Sequence, residues 1–370
     1  MLILAEEIGK NVLLKPFTTF KIGGEAKYFA KCTSVLELKQ ALLFAKKNIQ
    51  PVLLLGGSSN MLISDYGFAG LVISVEILGK EILFENSQMV QIKISAGENW
   101  DQAVAWSCKN KWWGLENLSH IPGKAGAAAV QNIGAYGSQI SDYLERVEVL
   151  EVASELVKNL SVSDCEFGYR KSIFNSSQKG KYVILSLVLN LSKTTKPNLI
   201  YADLQKHFVG NINPKLSDIR QAVVDIRNKK FPFPEKEIGG NAGSFFKNFI
   251  LNPSEYVKLE KRFGENFNHE QLEKLLRYKN KFIQAEKIKI PSGFVVEICG
   301  WKGREMGRVK VNETQSLVLL NMGGATAKEV LALAKAIRQD VYKKTGLVLE
   351  LEPELVGFSE HEVKSFLEIH

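Results

Sequence analysis

Apolar and polar positions along the chain switch between helical and strand periods. After the pair Gly23-Gly24, Tyr28-Phe29-Ala30 predicts a short strand. Ser34-Val35-Leu36-Glu37 has the form of a helix-opening capping box, and Leu38, Leu42 and Ala45 keep helical spacing behind it. Pro51 stops that helix and opens the apolar run Val52–Leu55, a buried strand. Further strands are predicted at 71–75, 80–84, 90–95, 146–152 and 182–191. Asn99 leads a short helix, and Trp100, Val104, Trp106, Trp112 and Trp113 are expected to pack a core. A helix from Ser217 turns Ile219, Val223 and Ile226 inward and leaves Arg220, Arg227 and Lys230 on a solvated face, with Pro232 and Pro234 ending it. Residues 254–290 are charged and predict helix, and Gly293–Gly303 sets one buried acid, Glu297, among apolar residues. Thr326-Ala327-Lys328-Glu329 opens a helix with Val330, Leu333, Ala334, Ile337 and Val341 on one face, closed by Gly346. A last strand alternates Leu347, Leu349 and Leu351 against Val348, Glu350 and Glu352. Helices and strands mix without strict βαβ alternation, so the expected fold class is α+β.

Length and composition narrow the function classes. A chain of 370 residues, 45% hydrophobic and 24% charged, reads as an ordinary soluble protein of two or three domains. No apolar run is long enough to span a membrane, and Met1–Glu7 meets acid at once, unlike a signal peptide. Cys32, Cys108, Cys165 and Cys299 are scattered, which suits reduced thiols better than disulfides or zinc. The net charge of +8 is spread among helices; it is either a plain basic surface or an attraction for small anions such as nucleotides. A nucleic-acid binder would need a basic stripe interleaved with exposed aromatics, and the sequence has none.

Three glycine-rich stretches carry the candidate chemistry. A strand emptying into Gly56-Gly57-Ser58-Ser59-Asn60 is either a β-turn or a phosphate cradle of backbone N–H groups and hydroxyls. Between Ile121-Pro122-Gly123 and Gly137, small residues would let a flat ligand lie against main chain, with Gln131 and Asn132 able to read its polar edge. The alternative is a tight helix–strand contact. Gly239-Gly240-Asn241-Ala242-Gly243-Ser244 holds a hydroxyl on a glycine turn, followed by Phe245, Phe246, Lys247 and Asn248. That suits a buried site of proton delivery, or a turn entering a buried strand.

Together with Thr19–Gly24, Tyr169-Arg170, Gly300-Trp301-Lys302-Gly303 and Leu351-Glu352-Pro353-Glu354, these stretches resemble the UDP-N-acetylenolpyruvoylglucosamine reductases over about residues 15–360. The Tyr201 loop resembles the subclass in which a tyrosine-bearing loop folds over the substrate. The resemblance implies an FAD-binding region of the vanillyl-alcohol-oxidase type in two lobes at 1–214 and an α+β substrate-binding domain at 215–370, the last strand packing back on the FAD region. It implies that NADPH reduces FAD, and that hydride then passes to the enolpyruvyl double bond of UDP-N-acetylglucosamine enolpyruvate. A cytoplasmic monomer, with no nucleic-acid partner, is the expectation. Another flavin oxidoreductase on the same scaffold would explain Gly56–Asn60 but not Ser244 or Glu354, and a basic nucleotide-binding non-enzyme would explain the charge alone.

The resemblance also implies residue roles. Hydride addition to an enol ether conjugated with a carboxylate builds enolate charge. Arg170 would stabilise it, Glu354 would help either protonated or by ordering a hydrogen bond to the developing acid, and Ser244 would deliver the proton, with Lys247 and glycine-turn N–H groups supporting the alkoxide. Gly56, Gly57, Ser58, Ser59, Asn60, Ile121, Pro122, Gly123, Gly126, Gln131, Asn132, Gly134, Ala135 and Tyr136 would hold FAD. Tyr201, Lys230, Asn248 and Arg227 would contact the UDP-sugar. Thr18, His120, Phe249 and Ile298 depart from residues common in the family.

Overall fold

The computed structural model describes residues 8–211, 213–231, 238–281, 283–284 and 287–368. The acidic start and the stops expected at Pro232 and Pro234 lie outside these residues. The chain forms two compact units, each assembled from separate stretches of sequence.

The first unit takes residues 1–12, 26–58 and 69–229. One sheet orders the strands Gly9–Leu13, Glu25–Cys32, Phe68–Val75 and Val52–Leu55, the last two parallel. The helix Val35–Lys47 starts where the capping signal puts it: Ser34 Oγ accepts from the Glu37 amide at 3.2 Å. Its Leu38, Ala41, Leu42 and Ala45 are buried. A second, antiparallel sheet orders Val157–Ser161, Leu144–Glu151, Tyr182–Ser192, Met89–Ser95 and Lys80–Glu85. Tyr182–Ser192 lies at its centre and is buried almost throughout, whereas Met89–Ser95 buries only Val90, Ile92 and Ile94. Val157–Ser161 was not expected; this edge strand is too polar to show an apolar pattern. Trp100, Trp112 and Trp113 are core residues, and Trp106 meets Trp112 edge-on at 5.0 Å.

Two features of this unit differ from the expectations. Tyr201 is the N-cap residue of a short helix, Ala202–His207, that the sequence reading did not include. The helix Leu216–Lys230 does not leave its arginines in solvent. Arg227 is buried with Leu216, Ile219, Ala222 and Val223, and Arg220 forms a two-pronged ion pair. Because of that buried face the helix packs with the first unit through Lys229, past residue 214.

The second unit takes residues 13–25, 59–68 and 230–370. Its main sheet orders Ile238–Gly240, Leu319–Met322, Val309–Val311 and Glu305–Met306. The long helix Ala327–Thr345 has the complete Thr326/Glu329 capping box, buries the predicted face, and ends on Gly346 at φ 74°, a backbone setting that favours glycine. Three readings are corrected here. Residues 254–290 are two helices, Pro253–Asn266 and His269–Lys281, followed by the strands Ile283–Gln284 and Lys287–Ile290. The lysines at 287 and 289 hid a period-two pattern whose Ile288 and Ile290 are buried. Glu297 is exposed on the helix Ser292–Ile298 and pairs with Lys302 at 3.2 Å; the apolar residues around it face the other way. Within the stretch 347–352 the one bridge among the described residues is Leu351 to Phe246. The strand proper is Glu354–Val356, which runs parallel to Met61–Ile63.

Candidate active site

In the first unit the two small-residue stretches cross main chain against main chain. A Cβ on Gly57 would lie 3.0 Å from the Gly123 carbonyl carbon and closer still to its Cα. One on Gly56 would lie 2.7 Å from Ala127 Cβ, and one on Gly126 2.7 Å from Ala96 Cβ. Glycine is required at these crossings for space. The half-buried Ile121 and Pro122 lead into this crossing, and the Gly123 carbonyl accepts from the Trp100 amide at 3.0 Å. Beside it, Ser58 sits at φ 47° and is 5% exposed, and its hydroxyl has no hydrogen-bond partner among the described residues. A buried orphan hydroxyl in a glycine cradle fits an anionic group.

The chain then forms the helix Ala125–Val130, capped by the half-buried Gln131, and a small hairpin pairing Gly134–Ala135 with Ser138–Gln139. Asn132, at φ 44° and buried, donates to Gly168 O at 3.1 Å and Gln139 Oε1 at 3.3 Å, and accepts from the Ser141 amide at 3.2 Å. Its amide shapes the loop, so a ligand here would meet its main chain and not its side chain. Gly134 O accepts from Arg170 Nη2 at 3.0 Å, and the guanidinium lies over the Tyr169 ring at 5.3 Å. Arg170 holds φ 54°, so its side chain is aimed by a left-handed turn.

Tyr136 gathers the remaining polar groups of this unit. Its ring meets Tyr201 edge-on at 5.2 Å, its carbonyl accepts from Asn117 at 2.8 Å, and its hydroxyl bonds Arg227. Burial pushes the phenol up to about 12. Burial also pushes the Arg227 guanidinium down, and the charge of Arg170 adds to that push. Arg170, Tyr136, Tyr201 and Arg227 therefore share one neighbourhood rich in cationic and phenolic donors. Asp101, His120 and Arg220 form a hydrogen-bonded group that reaches Arg227 through His120 O. A signal for Arg227 was present, since it continues the four-residue spacing of Ile219 and Val223 on the buried stripe.

In the second unit, Gly240 passes so close to Phe20 O that a Cβ would lie 2.5 Å from it. Gly243, at φ 70°, donates its amide to Asn241 Oδ1 at 2.9 Å and has open space where a Cβ would point. Ser244 follows, half-buried, on a segment clamped from both sides: the Phe245 amide donates to Leu317 O at 2.7 Å, and the Glu352 amide donates to Phe245 O at 3.1 Å. Phe245 and Phe246 are fully buried beneath it. The Ser244 hydroxyl is therefore held on rigid main chain and forms no side-chain hydrogen bond among the described residues.

Two of the supports expected for Ser244 have other partners as well. Lys247 Nζ pairs with Glu350 at 3.4 Å, and the Gly243 amide with Asn241. Asn60 joins the Glu354 strand: its amide donates to Glu352 O at 2.9 Å and its carbonyl accepts from the Glu354 amide at 3.0 Å. Ser59 also belongs to this unit, so the Gly56–Asn60 stretch divides after Ser58. Asn248 Oδ1 accepts from the Ser292 amide at 3.0 Å, and Lys230 O accepts from Asn312 at 2.8 Å.

The departures have local accommodations. His120 stands at φ 59°, where glycine would be relaxed. Thr18 donates to Ile22 O at 3.0 Å, closing a turn, and Phe249 is a buried strand residue opposite Ile290. Ile298 is half-buried against the core.

Comparison with known proteins bears on this geometry. Residues 26–160 match the family described as FAD binding domain, and residues 233–356 the family described as UDP-N-acetylenolpyruvoylglucosamine reductase, C-terminal domain. The chain is 37% identical to the UDP-N-acetylenolpyruvoylglucosamine reductase of Flavobacterium johnsoniae, covering 95% of this chain and 100% of that one. It is 37% identical to the same-named protein of Shewanella oneidensis, over 94% of this chain and 96% of that one. The crystal structure of UDP-N-acetylenolpyruvylglucosamine reductase from Thermus caldophilus matches at TM-score 0.62 and 23% identity, covering 94% of this chain and 98% of that one, a likeness of fold.

Proposed function

This chain belongs to the UDP-N-acetylenolpyruvoylglucosamine reductase family, and from that premise we propose which of its residues carry the reaction. It is an FAD-dependent oxidoreductase that reduces UDP-N-acetylglucosamine enolpyruvate to UDP-N-acetylmuramate, a step of peptidoglycan precursor synthesis. The observation that carries the cofactor assignment is the Gly57–Gly123 crossing with the orphan Ser58 hydroxyl beside it. When bound, FAD supplies the hydride, with NADPH as the proposed reductant.

The protein's own groups then manage charge and proton. We assign Arg170 to the negative charge that grows on the enolpyruvyl group; its left-handed turn and its bond to Gly134 O fix the guanidinium in advance. Ser244 gives its hydroxyl proton to the carbon that becomes the lactyl centre. Its support is a clamped backbone and a hydroxyl bound to no side chain. Glu354 orders a hydrogen bond to the developing acid, from a strand anchored on Met61–Ile63. Tyr201, Arg227, Lys230 and Asn248 bind the UDP-sugar. Gly56 to Asn60 and the 121–136 stretch hold FAD, Asn132 through main chain only. We place the enzyme in the cytoplasm as a monomer; among the described residues no helix is long and apolar enough to cross a membrane.

Anaerobic absorbance tests the assignment. Flavin bands that bleach with NADPH and return with UDP-N-acetylglucosamine enolpyruvate are expected. Bands that bleach but do not return would remove the substrate assignment, and no flavin binding at all would remove the cradle.

A further inference from the structure

We propose that Asp101 and Arg220 form a positioning clamp for Arg227, acting through the backbone of His120. The proposal rests on the reading that Arg227 contacts the UDP-sugar. Asp101 is the first-turn acid of the helix Trp100–Lys109. Arg220 Nη1 and Nη2 grip its two oxygens at 2.7 and 2.9 Å, across 119 residues of sequence. The His120 amide donates to Asp101 Oδ1 at 2.5 Å. With its amide pinned, His120 adopts φ 59°, costly for a residue with a Cβ, and turns its carbonyl to accept from Arg227 Nε at 2.8 Å.

The chain of contacts thus runs from ion pair to strained peptide to buried guanidinium. Arg220 and Arg227 are seven residues apart, two turns of one helix, so the clamp fixes that helix at both points. With Nε on His120 O and a further bond to the Tyr136 hydroxyl, the Arg227 side chain is held in one pose. A fixed guanidinium binds an anion better than a mobile one, because ordering it no longer opposes binding. Asp101 and Arg220 are positioning residues and touch no ligand. Burial pulls the Asp101 carboxyl up, but Arg220 and the His120 amide outweigh it and keep it below the usual range, so the clamp stays charged at neutral pH.

The test uses the FAD-loaded enzyme and steady-state kinetics with UDP-N-acetylglucosamine enolpyruvate. Asp101→Asn is expected to raise KM for that substrate about tenfold, with kcat, KM for NADPH and flavin content unchanged. Arg227→Gln should raise the same KM at least as far, and adding Asp101→Asn to it should cost nothing more. If Arg227→Gln leaves KM unchanged, the reading of Arg227 fails. If Arg227→Gln raises KM but Asp101→Asn does not, or if the two effects simply multiply, the clamp fails. Should Asp101→Asn not fold, the paired change Asp101→Asn with Arg220→Met removes the orphaned charge and is read the same way.

Discussion

Replacing Ser58 by alanine should move apo stability and FAD affinity in opposite directions. The Ser58 hydroxyl is buried at 5% exposure and has no partner among the described residues. Such a group opposes folding by about 1–3 kcal/mol, because water is lost and nothing replaces it. Alanine keeps the Cβ at φ 47°, so the backbone strain is the same in both proteins and cancels. Removing the oxygen should therefore raise the apo melting temperature by about 2–4 °C for each kcal/mol recovered. A hydroxyl donating to a diphosphate contributes about 1.5–3 kcal/mol, so the variant should bind FAD about 10- to 150-fold more weakly. The assay is a flavin fluorescence titration of apo protein beside a thermal melt of the same preparation. Unchanged FAD affinity would refute the cradle. Loss of both affinity and apo stability would show the hydroxyl to be structural.

Three further outcomes are expected. Gly57→Ala sets a Cβ within 3.0 Å of the Gly123 main chain, so the loops must separate; FAD binding should be lost in the same titration at a stability cost of about 1–3 kcal/mol. Ser244→Ala and Glu354→Gln should each leave flavin reduction by NADPH near normal and slow substrate-driven reoxidation by orders of magnitude, seen in stopped-flow absorbance; normal reoxidation removes the residue from its role. Glu329, bonded to Arg308 and capping its helix, is held at about 2 against an ordinary 4.5. Its stabilisation is thus fully present above about pH 4.5 and lost as pH falls toward 2. Melts of wild type and Glu329→Gln should differ at neutral pH and converge in acid.

Much of this architecture is local and was legible residue by residue. The Thr326/Glu329 cap, the Ser34 and Asn99 caps and the buried tryptophans follow from short-range sequence, because a helix end or an apolar face is decided within a few residues. The glycine stretches were legible as close approaches, though not what each would approach. Three kinds of feature needed the tertiary structure. Partners distant in sequence, such as Asp101 with Arg220 or Glu354 with Met61, carry no periodic signature and exist only once the core has closed around them. Burial of a charged side chain is decided by what lies opposite, so Arg227 looked like solvent-facing charge until His120 and Tyr136 were placed beside it. Positive φ at Ser58, Tyr136 and Arg170 is imposed on residues that do not favour it. Residue identity sets which chemistry is available; the hydrogen bonds of a packed core decide where it is aimed.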